Sequence, residues 1–108
     1  MSESIVKNIV KREITSARWG QKSNLADEDN FSIQEYTINS KDMIRVHLND
    51  ENVYFILVSG SAEFNINDDK RELFKGEKID FPAKNKSLDV IITNCGIIPL
   101  VFIKVSLK

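Results

Sequence analysis

The 108-residue chain is long enough to fold as one domain around its own hydrophobic core. Fifteen basic and sixteen acidic residues give a formal net charge of −1, which predicts neither a nucleic-acid partner nor a membrane partner. The single cysteine, Cys95, excludes an internal disulfide, and we expect it to be buried or half-buried. Residues 1–10 lack the apolar core of a signal peptide and no run is long enough to cross a membrane, so we expect a soluble cytoplasmic protein.

Residues 1–17 permit two interpretations. Apolar side chains recur at four-residue intervals from Ile5 to Ile14, which is typical of an amphipathic helix. Residues 9–15 also tolerate an extended conformation. We therefore predict a short N-terminal helix or arm over residues 1–17, followed by one domain over residues 18–108. The apolar stripe must be covered by that domain or by a second subunit, and we expect a homodimer.

A polar segment follows the pair Trp19-Gly20. Residues 21–30 contain few apolar side chains, so we predict a loop there. The acidic cluster Asp27-Glu28-Asp29 could suggest a cation site. A calcium loop needs a longer pattern of oxygen ligands, and a solvated loop is the plainer interpretation.

From residue 31 onward the pattern predicts short β-strands. Phe31–Ile38 and Met43–Leu48 are two of them, and residues 53–66 predict a hairpin with its turn at Gly60. Residues 67–70 predict a turn, and further strands are predicted at residues 71–74, 79–81, 88–93 and Leu100–Leu107. Strands separated by turns at intervals of about 8–12 residues favour an all-β sandwich or a small closed barrel.

Four segments, in order, resemble motifs of the cupin superfamily. They are Arg18-Trp19-Gly20, the hairpin turn at residues 58–62, Gly76 with Pro82-Ala83 after it, and Asn94-x-Gly96-x-x-Pro99-Leu100 followed by Ile103-x-Val105. The chain is most similar in this respect to the cupin domain of type II mannose-6-phosphate isomerases, which is often fused to a mannose-1-phosphate guanylyltransferase. The resemblance implies a small cupin-type (jelly-roll) β-barrel, a homodimer and a role in carbohydrate metabolism.

The resemblance also implies a divalent metal held by histidines and a glutamate, and here the chain departs from it. His47 is the sole histidine of the sequence and falls on the first ligand position. Asn49 falls on the second histidine and Val53 on the glutamate. Ser87, or Val90 with a longer loop, takes the histidine position of the second motif. Because amide and hydroxyl groups are poor ligands for a transition metal and valine is none, we expect no metal and no cofactor.

The remaining polar groups predict a small-ligand pocket. Arg45 and His47 alternate along one strand and therefore share a face. With Asn49 and Ser87 they form the predicted binding site for a sugar or sugar phosphate, although an exposed arginine beside a histidine is the plainer alternative. Trp19 could stack on a sugar ring or cap one end of the barrel.

Two functions remain open at this stage. The first is a non-metal binding or assembly module that resembles the isomerase domain without its ligands. The alternative is a sugar-phosphate isomerase with a reorganised site, whose catalytic residues the sequence does not identify. If Val53 and the alternating residues after it line the barrel, apolar bulk fills much of the space that a metal and substrate would need.

Overall fold

The computed structural model describes residues 14–82 and 87–108, and within these ranges every regular element is a β-strand. In chain order the strands are β1 (Ile14–Ala17), β2 (Gly20–Asp27), β3 (Phe31–Ile38), β4 (Met43–Leu48), β5 (Asn52–Ser59), β6 (Ser61–Ile66), β7 (Asp69–Phe74), β8 (Lys78–Phe81), β9 (Leu88–Asn94) and β10 (Leu100–Leu107). No helix in this part of the chain is long and apolar enough to cross a membrane. The all-β prediction is confirmed, and β3, β4 and β10 have their predicted bounds.

The described strands form two antiparallel sheets. The six-stranded sheet has the order β1-β2-β3-β10-β5-β8, and the four-stranded sheet has the order β4-β9-β6-β7. In each sheet a late strand lies between two earlier ones: β10 between β3 and β5, and β9 between β4 and β6. This interleaving, with the chain passing repeatedly from one sheet to the other, is the arrangement of a jelly roll.

Aromatic and branched side chains fill the space between the sheets. Val53, Phe55 and Leu57 of β5 are almost completely buried, which confirms that their shared face points into the barrel. The ring of Phe55 lies edge-on to the rings of Phe64 and Phe102, at centroid distances of 5.3 and 5.6 Å. Burying each such side chain contributes about 1.5–3 kcal/mol to folding. The interior around Phe55 is therefore packed rather than open.

Two predicted turns depend on backbone conformations with positive φ. Gly60 joins β5 to β6 at a φ of 86°, and a Cβ atom there would lie 3.1 Å from the carbonyl oxygen of Pro99. Asn67 and Asp68 join β6 to β7 with φ values of 51° and 68°. Consecutive positive φ values are those of a type I′ hairpin turn, which asparagine and aspartate tolerate well.

The prediction of a loop over residues 21–30 is wrong for most of its length, because β2 occupies Gly20–Asp27. β2 pairs with β1 on one side and with β3 on the other, so neighbouring strands satisfy its backbone although its side chains are polar. The acidic cluster lies at the β2–β3 connection, where Asp27 accepts a hydrogen bond from the Lys108 ammonium at 2.9 Å. Tertiary pairing here overrides the weak local strand preference.

Most of the predicted N-terminal helix or arm, residues 1–13, lies outside the described residues. The rest of it, Ile14–Ala17, is extended and pairs with β2 as strand β1. The proposed domain boundary after residue 17 therefore follows a strand that already belongs to the six-stranded sheet.

Asn94, rather than Cys95, occupies the interior at the end of β9. The Asn94 amide nitrogen donates to the carbonyl oxygens of Ile38 and Ile98, at 3.0 and 2.9 Å, and its side-chain oxygen accepts from the Gly96 N–H at 2.9 Å. Cys95 is exposed, so the prediction of a buried or half-buried thiol is wrong. Successive side chains of an extended chain point in opposite directions, and the inward place belongs to Asn94.

Candidate ligand-binding site

A cavity of about 510 Å³ opens between β4 and the six-stranded sheet. Residues 43–47 of β4 line one side, and Trp19, Lys22, Tyr36 and Lys104 line the other. Among the described strands β4 pairs with β9 alone, so its other edge is free and borders this cavity. We call the cavity the β4 cleft.

The strand register places the cleft residues of β2, β3 and β10 on the same face of the six-stranded sheet as its core residues. Lys104 of β10 is directly opposite Phe55 of β5 and Gln34 of β3. Tyr36 lies two residues beyond Gln34 and is directly opposite Lys22 of β2. Directly opposed residues of antiparallel strands share a face, and Phe55 is fully buried. Lys22, Tyr36 and Lys104 therefore belong to the inner face of the six-stranded sheet.

Stacked aromatic rings connect the cleft to the core. Trp19 stacks on Tyr36 with centroids 6.2 Å apart, and Tyr36 stacks on Phe102 at 4.9 Å with nearly parallel rings. Trp19 is partly buried against the core, whereas Tyr36 is only 6% exposed. The Lys22 ammonium lies 5.8 Å from the centroid of the Tyr36 ring, within range of a cation–π contact.

A line of polar side chains runs across this inner face. The Tyr36 hydroxyl donates to the Gln34 side-chain oxygen at 3.3 Å, and the Gln34 amide nitrogen donates to the Asn24 side-chain oxygen at 3.0 Å. Burial raises the pKa of Tyr36 above its ordinary value, which keeps its hydroxyl neutral and able to donate a proton in a hydrogen bond. The line gives the inner face hydrogen-bonding groups beside the cleft.

The cleft is lined by positive charge. Lys22, Arg45 and Lys104 line it together with His47, and no carboxylate of the described residues is among its lining groups. Desolvation is the main effect that lowers the pKa of Lys104, and the positive charge of Lys22 lowers it further, whereas the carboxylate of Glu51 opposes the shift. This combination of cations and aromatic rings is suited to an anion that also carries an apolar or ring surface.

The structure brings His47 together with two residues of the β9 side. His47 is directly opposite Asp89, and its Nδ1 lies 2.7 Å from an Asp89 carboxylate oxygen. The Ser87 hydroxyl lies 3.3 Å from Nε2 of the same ring. The His47 and Asp89 side chains are each about half exposed, at 51% and 52%. His47 and Ser87 were both predicted as site residues from the sequence. The contact of His47 with Asp89 was not predicted, because it depends on the register of β4 and β9.

The other two predicted site residues differ in position. Arg45 shares the exposed face of β4 with His47, because Val46 between them is buried, and both line the β4 cleft. Asn49 is exposed in the β4–β5 connection, where its carbonyl oxygen accepts from the Glu51 N–H at 2.9 Å, and it is not among the lining residues.

Sequence reasoning missed the three cleft residues of β2, β3 and β10, which are Lys22, Tyr36 and Lys104. Lys22 lies in the segment that was predicted to be a loop, so its facing partner on β3 was not expected. The signal for Lys104 was present, since it is the single charged residue in the mostly apolar strand β10. An inward lysine at that point predicts a polar break in the core.

The residues at the implied metal-ligand positions do not suit a metal. Val53, at the glutamate position, is apolar and 1% exposed. His47 lies on the exposed face of β4 and is bonded to Asp89. Within residues 14–82 and 87–108 no group of three or more His, Cys, Asp or Glu side chains could hold a metal ion. Such a donor set does not provide the converging imidazole and carboxylate ligands that a transition metal requires.

The chain matches no protein-family model and no curated protein sequence. Among solved structures it is similar to the plu4264 protein of Photorhabdus luminescens, with a TM-score of 0.75 and 18% identity over 89% of this chain and 81% of that one. It is also similar to the Cupin_2 domain of an XRE family transcriptional regulator of Enterobacter cloacae, with a TM-score of 0.70 and 16% identity over 81% and 94% of the two chains.

A third similar structure is a cupin-superfamily sugar phosphate isomerase of Silicibacter pomeroyi. The TM-score is 0.66 and the identity 13%, over 81% of this chain and 59% of that one. At these identities the likeness concerns the fold and not the activity or the ligand. The sheet order and these neighbours together establish that the chain has the cupin-type jelly-roll fold.

Proposed function

We propose that this protein is a binding module for a small sugar phosphate, which it holds in the β4 cleft without a metal. The observation that carries the proposal is the placement of three basic side chains, Lys22, Arg45 and Lys104, around a stacked aromatic wall. Lysine and arginine recognise phosphate through charge-assisted hydrogen bonds. The apolar face of a pyranose suits the exposed part of an aromatic ring such as that of Trp19.

The size of the cleft supports a small ligand. A volume of about 510 Å³ lies within the range of about 300–1,000 Å³ that is typical of pockets for small molecules. The packed interior around Phe55 confines the ligand to the side of the barrel that β4 borders. We expect the protein to act in the cytoplasm, where sugar phosphates are available.

Calorimetric titration with mannose 6-phosphate and with mannose tests the proposal. We expect the phosphate ester to bind and the neutral sugar to bind at least tenfold more weakly, since a hydrogen bond to a charged group contributes about 1.5–3 kcal/mol. Arg45→Ala should weaken the phosphate ester about tenfold or more on the same grounds. Arg71→Ala, an exposed position on β7 that does not line the cleft, is the matched control. Equal affinities for the two sugars, or no binding by a panel of sugar phosphates, would contradict the proposal.

The alternative function is isomerisation of a sugar phosphate. The bond between His47 and Asp89 favours it, because a carboxylate that orients an imidazole makes it a better placed proton acceptor. The neighbour from Silicibacter pomeroyi is named as such an enzyme. This alternative predicts turnover of mannose 6-phosphate that His47→Ala abolishes. No turnover of any sugar phosphate, with or without added divalent metal, would reject it.

A homodimer is part of the same proposal. Exposed apolar side chains such as Ile14 on the edge strand β1 and Phe74 on β7, which are 52% and 54% exposed, are consistent with a second subunit. Sedimentation equilibrium should give twice the mass of the chain, and a stable monomer at micromolar concentration would reject the dimer.

A further inference from the structure

Lys104 has an unusual place for a lysine. It lies on the inner face of the six-stranded sheet, directly opposite the buried Phe55 and two residues after the fully buried Phe102. Its side chain lines the β4 cleft. No carboxylate of the described residues forms an ion pair with it, unlike Lys78 and Lys108, which pair with Asp80 and Asp27 at 3.6 and 2.9 Å.

These surroundings make the ammonium form of Lys104 less stable than it is in water. Loss of hydration and the positive charge of Lys22 lower its pKa, and they act against the carboxylate of Glu51. The other titratable groups that line the cleft are Tyr36, Arg45 and His47. None of the lining groups is a carboxylate, and Glu51, which favours the ammonium form, is not one of them. A lysine that is desolvated beside another cation is activated as a nucleophile.

We infer that Lys104 forms an imine with the carbonyl carbon of an open-chain aldehyde or ketone ligand in the β4 cleft. The inference rests on the proposed function, since a sugar phosphate in its open-chain form is such a ligand. The phosphate would be held by Lys22 and Arg45, which would leave the carbonyl end to Lys104.

The chemistry needs no oxidant, reductant or metal. The lone pair of the Lys104 nitrogen attacks the carbonyl carbon, and the π electrons move to the oxygen. A proton passes from nitrogen to that oxygen, which gives a carbinolamine. Loss of the hydroxyl group with one proton as water then leaves the carbon–nitrogen double bond. Amine and carbonyl compound are thus converted to imine and water, with all atoms accounted for.

Reductive trapping on the wild-type protein tests the inference. The protein is incubated at pH 7 with glyceraldehyde 3-phosphate and cyanoborohydride, and the labelled lysines are identified by peptide mass mapping. We expect Lys104 to be labelled faster than Lys78 or Lys108, since a lowered pKa leaves a larger fraction of the amine neutral and nucleophilic at pH 7. These exposed lysines of the same chain serve as internal controls. Labelling of Lys104 no faster than Lys78 would overturn the inference.

A ligand without a carbonyl group separates this inference from the proposed function. Glycerol 3-phosphate can occupy the anion site but cannot form an imine. If it binds by calorimetry while Lys104 reacts no faster than Lys78, the binding function stands and the imine is rejected. If glycolaldehyde labels Lys104 rapidly and glycerol 3-phosphate does not protect it, the reactive amine is supported and the anion site is rejected.

A substitution provides the last control. Lys104→Arg keeps a positive charge but removes the nucleophilic amine, so it should fold and lose the rapid label. Rapid labelling that moves unchanged to Lys22 in this variant would count against a special role for Lys104. Should the variant fail to fold, the rates at Lys104 and Lys78 in the wild type still decide the question.

Discussion

Two parts of one interior surface differ sharply along β10. Leu100 and Phe102 are fully buried in the packed core, whereas Lys104, on the same inner face, opens onto the β4 cleft. The aromatic stack runs across this border, from Phe102 through Tyr36 to Trp19. The core gains stability from dry packing. In the cleft, charged groups lie where hydration is reduced, and this lowers the stability of the fold. Binding sites commonly reduce stability in this way.

The largest expected effect is on the core side of this border. Phe102→Ala removes a ring that contacts those of Tyr36, Phe55 and Phe64, and leaves a cavity. We expect a loss of about 3–5 kcal/mol in the free energy of unfolding, measured by urea denaturation. Val58→Ala, at an apolar residue of β5 that is 41% exposed, is the matched control and should cost less than about 1 kcal/mol. Similar losses for the two variants would mean that the interior is not packed as described.

The next effect concerns a buried polar group of the core. Asn94→Ala removes hydrogen bonds to the Ile38 and Ile98 carbonyl groups and to the Gly96 N–H. Leaving buried partners without hydrogen bonds costs about 1–3 kcal/mol. The neighbouring exposed residue gives the control, Cys95→Ala, which should leave the free energy of unfolding within about 0.5 kcal/mol of the wild type. Equal effects at the two positions would contradict the inward placement of Asn94.

On the cleft side we expect a substitution to raise the free energy of unfolding rather than to lower it. Lys104→Met replaces a partly desolvated ammonium with an apolar side chain of similar length, and we expect it to raise the free energy of unfolding at pH 7 by about 1 kcal/mol. The same substitution should weaken sugar-phosphate binding, because it removes one of the basic groups of the cleft. A destabilised variant would mean that Lys104 contributes to folding rather than to the site.

The difference in stability between Lys104→Met and the wild type should depend on pH. The pKa of Lys104 is lowered in the folded protein, so between the folded value and the ordinary value of 10.5 the unfolded chain binds more protons at this residue. The contribution of Lys104 to stability therefore rises with pH in that window. The advantage of Lys104→Met should shrink as the pH approaches 10.5, while the raised pKa of Tyr36 affects both proteins alike. A constant difference between pH 7 and pH 10.5 would contradict the lowered pKa.

The smallest effect on the free energy of unfolding is expected on the outer face of β4. His47 and Asp89 are half exposed, so the hydrogen-bonded contact between them should contribute only about 0.2–1 kcal/mol of coupling energy. A double-mutant cycle with His47→Ala and Asp89→Ala in urea denaturation measures that coupling. A coupling energy well above this range would place the pair in a less solvated environment than the structure shows.

The sequence predicted the strands that alternate clearly between apolar and polar residues. β3, β4 and β10 were located to the residue, and the turns at Gly60 and at Asn67-Asp68 were recognised from their residue types. β2 was missed because its side chains are polar on both faces. Its place comes from pairing with β1 and β3, which a single segment of sequence does not reveal.

The candidate site also divides into residues that local sequence predicted and residues that only strand pairing brings together. Arg45 and His47 were predicted as neighbours because both lie on one strand with a period of two, and Ser87 was named from the motif alone. Lys22 and Lys104 are 82 positions apart in sequence (104 minus 22), and they line one cavity because β2, β3 and β10 are adjacent in the sheet. No local pattern connects residues whose only relation is sheet order.

The sequence by itself determined the all-β character, most strand positions and the loss of metal-ligand residue types, because these depend on local periodicity and on which side chains are present. Tertiary structure alone decided which side chains share the interior with Phe55 and which face solvent. Register and sheet order bring a lysine from each of two distant strands to one cleft, and reduced hydration there lowers the pKa of Lys104 below the value of a lysine in water.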